Sequence, residues 1–228
     1  MDDWRSYELV DFLMFTPEIF FRLTEIHNQS LWPGQLLLVP LIGFAYMRWR
    51  VGAYRAGLLM LACAWLFVAG GYFLGQFATI TWAAPYLATA FALQGVLLGV
   101  AAFWPGIVDF TGQATARRRF GALVIGFGVV LYPALALVFA RGLAGAEVVG
   151  LMPDPTVVTT LGLLMFAARK PWWLYPLPIL WCVGAGALKY AMEAADFWLL
   201  PAAALLALAA EKLSDPVDAA GGKSRGAG

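Results

Sequence analysis

The sequence predicts an all-α fold: a polytopic membrane helix bundle of about seven transmembrane helices, preceded by an interfacial amphipathic helix. Hydrophobic residues make up 62% of the 228 residues and charged residues only 13%, whereas soluble domains are roughly half apolar and a quarter charged. Several apolar runs are long enough to cross a bilayer. Lys and Arg also concentrate at those ends of the runs that would share one face of the membrane, which is typical of the cytoplasmic side.

Residues 1–30 are predicted to lie in the membrane interface. Thr16 can cap a helix there, Pro17 suits the first helical position, and the charge of Glu18 complements the helix dipole. The helix that follows has one apolar side, formed by Ile19, Phe20, Leu23 and Ile26, and one polar side, formed by Glu18, Arg22 and Glu25. Such two-sided helices lie on a lipid surface rather than across it.

Residues 31–212 are predicted to form the bundle. Six apolar runs lie near Leu31–Met47, Ala56–Leu74, Ala84–Trp104, Gly121–Ala140, Trp172–Leu188 and Phe197–Ala210. A seventh run, between Asp154 and Arg169, has about 14 residues, or roughly 21 Å of helix against a hydrocarbon core of about 30 Å. It crosses where the bilayer thins, or else it is a re-entrant helix beside six full crossings.

The distribution of Lys and Arg bears on that seventh run, because these residues favour the cytoplasmic side. With seven crossings, 11 of the 15 Lys and Arg share one face, and without the seventh crossing the split becomes 7 against 8. Ten of the 14 acids then lie on the opposite face. The ordered pattern favours seven crossings, with the N-terminus outside and the C-terminus in the cytoplasm. Residues 213–228 are small and polar, and we expect a disordered cytoplasmic tail.

Small residues inside the apolar runs indicate where helices pack closely. Gly71 and Gly75 are four residues apart, and so are Gly95 and Gly99. In lipid, such pairs let two helix backbones approach each other. We therefore expect helix contacts at both pairs.

Sequence motifs of known catalytic chemistry are absent. The chain has no H-E-x-x-H, C-x-x-C, P-loop or G-x-S-x-G pattern, so no catalytic, cofactor-binding or metal-ligating residue is predicted and no cofactor is expected. The two cysteines, Cys63 and Cys182, lie in apolar runs and are predicted to be buried small hydrophobic residues. Lys189 is the residue that a Schiff base would need, but it stands at a predicted membrane boundary, where a snorkelling side chain is expected.

Polar side chains in or beside the membrane are the remaining candidates for a functional site. A polar or ion site is predicted among His27, Glu25, Asp154, Glu193, Asp196, Gln76 and Gln94. Its carboxylate and imidazole groups are suited to bind a cation or relay protons. In the alternative interpretation Asp154 only caps the short helix, Pro155 begins it, and the other acids are solvated. The amides and the hydroxyls of Thr159 and Thr160 then bond across helices or to the preceding turn.

Two stretches resemble a known family: "EIHNQSLWPGQ" and "GLMPDPTVVTTLGLLMFAARKPWWLYPLPILWCVGAGA". They are similar to a group of bacterial multi-spanning proteins catalogued as a domain of unknown function and often labelled permeases. The resemblance covers Phe15 to Leu206 and implies a bacterial cytoplasmic membrane. The family pattern has Pro-Cys-Pro-Thr where this chain has Asp154 between Pro153 and Pro155, so a thiol-based role at this position does not carry over.

Three functions fit these observations. The first is permease-like movement of a small solute or ion, favoured by the polar residues and by the Pro-rich start of the short helix. The second is a non-catalytic scaffold or accessory subunit of a membrane complex, and the third is a membrane-embedded enzyme. The expected partners are the lipid bilayer, a small solute or ion, and a membrane-protein partner or a second copy of the chain, without nucleic acid.

Overall fold

The computed structural model describes residues 15–104, 106–110, 115–168 and 171–210. These residues contain nine α-helices and no β-strand. The helices are α1 (Pro17–Leu31), α2 (Leu38–Arg50), α3 (Tyr54–Phe67), α4 (Ala84–Phe103), α5 (Thr115–Gly126), α6 (Tyr132–Val138), α7 (Pro153–Leu164), α8 (Pro176–Ala191) and α9 (Leu199–Ala209). The all-α prediction is confirmed for these residues. The predicted tail, 213–228, and residues 1–14 of the predicted interfacial segment lie outside them.

Three helical stretches in the described ranges are long and apolar enough to cross a membrane. They are Tyr54–Thr79 with 26 residues, Ala84–Phe103 with 20 and Ala116–Val138 with 23. Helix α1 and Gly34–Arg50 meet the criterion together, but the pair bends by 77° at its break. Counting that pair as one broken span gives four candidates, so the count of seven crossings stays a prediction.

Two of the long stretches contain a π-helical segment. Val68–Leu74 continues α3, and Phe127–Leu131 joins α5 to α6. The wider turn of a π-helix shifts the side chains that follow it, and such segments are frequent at functional sites. Both segments lead into side chains of the site described below.

Helix α7 is the centre of the fold. All 12 of its residues are buried, and it contacts α3, α5, α8 and α9. At 1.5 Å per residue it is roughly 18 Å long, well short of a hydrocarbon core. The chain then turns, and the N–H of Ala168 donates to the Asp109 carbonyl oxygen at 2.6 Å. The predicted short helix is present, while its full crossing and its re-entrant form both remain predictions.

The start of α7 differs from the prediction. Met152 precedes the first helical turn, Pro153 is the first helical residue and Asp154 the second. The Thr156 hydroxyl donates to the Met152 carbonyl oxygen at 2.7 Å. Pro153 can begin the helix because its fixed φ suits the first position, where an N–H is not needed. The predicted cap role of Asp154 and the predicted start at Pro155 are therefore wrong, and the Asp154 carboxylate serves partners on other elements.

Close helix packing occurs at one of the two predicted glycine pairs. A Cβ atom on Gly95 would lie 3.1 Å from the carbonyl oxygen of Ala62 in α3. Gly95 and Gly99 therefore mark a contact between α3 and α4, as predicted. A Cβ on Gly71 or Gly75 would instead meet atoms of its own helical stretch, so that prediction is wrong.

A second glycine contact joins α5 to α7. A Cβ on Gly121 would lie 2.9 Å from the Gly162 carbonyl oxygen, and a Cβ on Gly162 would lie 3.0 Å from the Gly121 carbonyl oxygen. The two backbones touch at this crossing, which no four-residue glycine spacing in the sequence indicates. This contact helps α7 to be buried on all sides.

Helix α1 forms as predicted, and it buries a largely polar face against the rest of the chain. The Thr16 hydroxyl accepts from the Ile19 N–H at 3.5 Å, and Pro17 is the first helical residue. The buried side chains are Leu23, Thr24, His27 and Asn28, whereas Ile19 and Ile26 of the predicted apolar side are exposed. Polar groups elsewhere in the chain contact the buried face, and the interfacial position of the apolar side stays a prediction.

Asn28 provides the firmest of those contacts. Its Nδ2 donates to the carbonyl oxygen of Ala144 at 2.7 Å and to that of Ala146 at 2.8 Å. Both acceptors belong to the loop between α6 and α7. Helix α1 is thereby attached to the segment that carries two residues of the site.

Apolar side chains also cover much of the outer surface. Leu37, Phe103 and Leu143 are exposed by 73%, 75% and 75%. Cys63 also faces outward, while Cys182 is buried, so the predicted burial holds for Cys182 alone. An apolar surface of this extent would promote aggregation in water but suits contact with lipid.

Candidate functional site

Five charged side chains meet inside the protein and are called the charge cluster here. They are Arg141 and Glu147 from the loop between α6 and α7, Asp154 from α7, Lys189 from α8, and Asp196 from the loop before α9. Burial of unpaired charges is expensive, so a buried group of charges is stable only when its members face one another. The cluster joins the last turn of α8 to the first turn of α7.

Lys189 lies at the centre of the charge cluster and is only 1% exposed. Its Nζ is 2.7 Å from Asp154 Oδ2, 3.0 Å from Asp196 Oδ2 and 3.6 Å from Glu147 Oε1. Nζ also donates to the Tyr132 hydroxyl at 3.3 Å. The expectation of a snorkelling lysine is therefore wrong, because three carboxylates compensate the ammonium inside the fold.

The Asp154 carboxylate is hydrogen-bonded through both oxygens. Trp181 Nε1 donates to Oδ1 at 2.9 Å, and the Tyr132 hydroxyl donates to Oδ2 at 3.2 Å. Together with Lys189, these donors occupy the oxygens fully. Asp154 is thereby fixed between α6, α8 and the Lys189 ammonium.

Arg141 and Asp196 form a bidentate ion pair. Arg141 Nη2 is 2.5 Å from Asp196 Oδ1, and Nη1 is 3.1 Å from Oδ2. The guanidinium carbon lies 4.2 Å from the centre of the Phe21 ring, which connects the pair to α1. Burial opposes ionisation of Asp196, but the charges of Arg141 and Lys189 outweigh it and hold its pKa below the usual range.

Glu147 is the least well paired carboxylate of the charge cluster. Its Oε1 is 3.6 Å from Lys189 Nζ and 3.7 Å from Arg141 Nη1. Among the described residues no donor lies within hydrogen-bond distance of its side chain. Burial raises the pKa of Glu147 to about 7, the nearby carboxylates add to that rise, and Lys189 and Arg141 oppose it. This group can therefore change its charge near neutral pH.

The balance of charge follows from these partners. Two cations and three carboxylates leave the charge cluster with one net negative charge when all are ionised. A proton on Glu147 makes it neutral. The protonation state of this one carboxyl thus sets the net charge of the charge cluster.

A cavity of about 540 Å³ borders the charge cluster and is called the aromatic cavity here. Its charged wall is formed by Glu147, Asp154 and Lys189. Much of the remaining wall is aromatic and includes Trp65, Tyr72, Phe73, Phe77, Phe91 and Trp181. Tyr72 and Phe73 come from the first π-helical segment, and Tyr132 directly follows the second. The two long helical stretches therefore place their irregular turns at the site.

A smaller cavity of about 440 Å³ lies at the other end of the charge cluster. Arg141 lines it together with Glu18, Glu25 and Glu193. The ion pairs from Arg141 through Asp196 to Lys189 therefore reach from one cavity wall to the other. Arg141 also lies 3.7 Å from Glu147, which is a second and more direct charged contact between the two cavity walls.

The structure brings together part of the predicted site. Asp154 and Asp196 belong to the charge cluster. Glu25 and Glu193 line the smaller cavity, and Glu25 is ion-paired with Arg22 on its own helix. The ammonium of Lys189 takes the place between Asp154 and Asp196 that a bound cation would need, and no metal-binding group of three ligands occurs in the described part.

The other predicted residues lie apart from both described cavity walls. His27 is buried, and its ring packs edge-on against Tyr72 at 5.5 Å. The backbone of Leu151 is next to the ring, but neither ring nitrogen has a hydrogen bond of ordinary geometry in the described structure. Gln76 follows the first π-helical segment, and its carbonyl oxygen accepts from Thr79. Gln94 is buried in α4, and its amide donates to the Leu174 carbonyl oxygen at 3.0 Å.

Of the two predicted hydroxyls, Thr160 behaves as expected. It donates to the Thr156 carbonyl oxygen at 2.8 Å and accepts from Trp65 Nε1 at 2.8 Å. It therefore bonds both to the preceding turn and across to another helix. Thr159 is buried in the same helix, and its hydroxyl has no partner among the described residues.

Lys189, Arg141 and Glu147 were missed as site residues. One signal was available, since all three fall on the same predicted membrane face as Asp154 and Asp196. Opposite charges at one level of a bundle can pair, whereas like charges cannot. Which of them meet depends on how the helices are rotated, and a one-dimensional pattern does not contain that information.

Fold and site together define a class of protein. In its described residues the chain is all-α, with three candidate membrane-spanning helices and a buried charge cluster beside an aromatic cavity. The chain belongs to the family of unknown function DUF6064, whose model matches residues 17–215. No curated protein and no solved structure matches the chain. The resemblance to an uncharacterised family is confirmed, while bacterial origin and membrane location remain expectations.

Proposed function

We propose that this chain is a multi-pass protein of the bacterial cytoplasmic membrane that moves a small solute through the aromatic cavity. Movement is coupled to protonation of the charge cluster. The observation that carries the proposal is the position of the cluster, because Glu147, Asp154 and Lys189 form the charged wall of a cavity that is otherwise mainly aromatic and aliphatic. A purely structural group of charges has no need to border open space.

The membrane location is supported by length and by surface. Three stretches could cross a bilayer, and large apolar side chains are exposed on the outside. Ionisable groups inside a membrane protein are expensive and usually serve function, commonly as ion or proton relays. The proposed orientation has the N-terminus outside, the C-terminus in the cytoplasm and the charge cluster toward the outer side.

Coupling to protons is supported by the arrangement of the cluster. Contacts of 3.0 Å or less connect Arg141 to Asp196, Asp196 to Lys189 and Lys189 to Asp154. A change of charge at Glu147 alters the electrostatic balance of all these groups at once. Solute that enters the aromatic cavity would meet that change directly.

Flux in vesicles tests the proposal. Purified protein is reconstituted in liposomes that contain a pH-sensitive dye, a pH gradient is imposed, and small aromatic solutes of positive, zero and negative charge are added separately. At least one class should dissipate the gradient faster than in protein-free liposomes. Asp154→Asn should abolish this effect, because it removes the charge that faces Lys189. Glu193→Gln, an exposed acid outside the cluster, is the matched control and should retain it.

The outcomes separate the candidate functions. If folded wild-type protein moves no solute of any class, the transport proposal is wrong. A stoichiometric partner that copurifies with such an inactive protein would favour the scaffold. Folding is checked by circular dichroism and by elution as a single species, so a misfolded variant is not counted. Glu147→Gln serves as the second cluster variant if Asp154→Asn does not fold.

A further inference from the structure

We infer that the aromatic cavity binds a lipophilic organic monocation, such as a quaternary or protonated amine with apolar substituents, and that Glu147 is its counter-charge. This inference rests on the proposed function and specifies its substrate class. Four features support it: the ability of the Glu147 carboxylate to accept a further partner, the aromatic walls of the cavity, its apolar rim and the charge balance of the cluster.

The first feature is which carboxylate remains available. Asp154 accepts hydrogen bonds from Trp181 and Tyr132 and is ion-paired with Lys189. Asp196 accepts two hydrogen bonds from Arg141 and one from Lys189. Both are saturated. Glu147 lies on the cavity wall, and its nearest cationic nitrogens are 3.6 and 3.7 Å away. A cationic ligand can approach this carboxylate without displacing an existing hydrogen bond.

The second feature is the packing of the rings. The centroids of Trp65 and Phe91 are 4.2 Å apart, those of Phe73 and Phe91 4.7 Å, and those of Phe91 and Trp181 5.0 Å. Ring faces carry negative potential and attract cations, most strongly where water is excluded. The same faces disfavour an anion. The rings and Glu147 thus favour the same sign of charge.

The third feature is the rim of the cavity. Trp82 and Leu180 border it and are 68% and 65% exposed on the outer surface. A volume of about 540 Å³ is within the range of pockets for drug-sized ligands. Apolar residues at the opening favour a molecule that partitions into lipid over a strongly hydrated one such as a metal ion. The ligand is therefore lipophilic as well as cationic.

The fourth feature is the balance of charge. With Glu147 ionised, the cluster has one net negative charge, which one monovalent cation neutralises. Lys189 is not available to an anion, because its Nζ is ion-paired with Asp154 and donates hydrogen bonds to Asp196 and Tyr132. A neutral ligand would leave the Glu147 charge uncompensated in an apolar cavity.

Competition between the cation and a proton follows. Burial raises the pKa of Glu147 to about 7. Below that pH the carboxyl is protonated and no longer opposes the ligand charge, and binding of the cation releases the proton to water. Apparent affinity should be about tenfold lower at pH 6 than at pH 8, because one proton competes. In a membrane, this competition amounts to exchange of one cation for one proton.

The test compares two rigid probes of the same shape and opposite charge. Tetraphenylphosphonium and tetraphenylborate are titrated into the full chain in detergent, and binding is followed by calorimetry and by quenching of tryptophan fluorescence. The cation should bind, about tenfold more weakly at pH 6 than at pH 8, while the anion should not. Glu147→Gln should weaken cation binding at pH 8 by about tenfold and remove the pH dependence. Glu193→Gln should match wild type.

Two results would overturn the inference. One is binding of the anion as tight as that of the cation, and the other is cation binding that Glu147→Gln leaves unchanged. If that variant does not fold, the contrast between the two probes and the wild-type pH dependence still decide. Should a neutral or anionic solute carry the vesicle flux, the substrate class is wrong while transport stands. Should the cation bind without any flux, transport is wrong while the binding site stands.

Discussion

The side chain of Lys189 shows how a buried charge becomes stable in this protein. An isolated ammonium in an apolar interior costs several kcal/mol, and its pairing offsets that cost only when further hydrogen bonds satisfy the group. Here Asp154 and Asp196 lie within 3.0 Å, and Tyr132 provides another acceptor. Removal of any one partner would leave charge without compensation.

Replacement of Lys189 by Met tests this account. Lys189→Met should lower the free energy of unfolding by about 3 to 5 kcal/mol, because two buried carboxylates lose their shared cation. Thermal unfolding in detergent should show a midpoint lower by about 10 °C. The control is Arg22→Met, which breaks an ion pair whose arginine is 60% exposed and should cost under about 1 kcal/mol.

A double variant separates charge from packing. Lys189→Met combined with Asp154→Asn should be more stable than Lys189→Met alone, because one uncompensated carboxylate is gone. Unfolding of Lys189→Met at the wild-type temperature would contradict the central role of the ammonium.

Residue-scale contacts were partly predictable. Asp154 and Asp196 could be identified as polar groups at one membrane face, and Thr160 as a group that bonds to the preceding turn. Lys189 could not be placed, since a lysine at a helix end snorkels unless neighbouring elements offer carboxylates. Those carboxylates come from distant parts of the chain, and only packing brings them close.

At the scale of elements, α7 depends on close backbone contact. Its 12 residues are all buried, so every neighbouring helix must approach without large side chains at the crossing points. Gly121 and Gly162 provide one such crossing. Glycine is needed there for its size rather than for its backbone freedom.

Substitution at that crossing provides an element-scale prediction. Gly121→Ala should destabilise the protein by about 1 to 3 kcal/mol, because its Cβ would lie 2.9 Å from the Gly162 carbonyl oxygen and the helices must separate. Gly126→Ala in the same helix meets nothing within 4 Å and should be neutral or gain up to about 1 kcal/mol in helix propensity. The two variants are compared by thermal unfolding, and equal midpoints would contradict the crossing.

Helix positions were more predictable than helix faces. The six apolar runs correspond to helices, since apolar length is a local property of the sequence. Helix α1 begins where Thr16 and Pro17 indicate, but the sequence did not indicate that Thr24, His27 and Asn28 are its buried face. The loop carbonyl groups at Ala144 and Ala146 decide this orientation.

At the scale of the whole molecule, topology remains to be measured. Eleven of the 15 Lys and Arg share one face if the chain crosses seven times. Three helical stretches in the described residues are each long enough to cross a membrane, and one bent pair of helices provides a fourth candidate. The remaining crossings would have to use α7, α8 and α9, each shorter than a usual span.

Reporter fusions test this topology. Fluorescent protein fused after Gly228 should fluoresce and alkaline phosphatase there should be inactive, because the positive charges near the span ends are expected in the cytoplasm. Phosphatase fused before Met1 should be active. Active phosphatase at the C-terminus would remove one crossing and make the α7 run re-entrant. Expression of each fusion is verified by immunoblotting.

The sequence by itself determined the composition, the helical class and the approximate helix positions. These properties depend on residues close together along the chain and on their transfer from water. The tertiary structure decided which charges meet, which face of α1 is buried and where the aromatic cavity lies. Those outcomes depend on how the helices rotate and pack. A rotation of α8 that turned Lys189 away from α7 would separate its ammonium from the carboxylates and would remove it from the charged wall of the cavity.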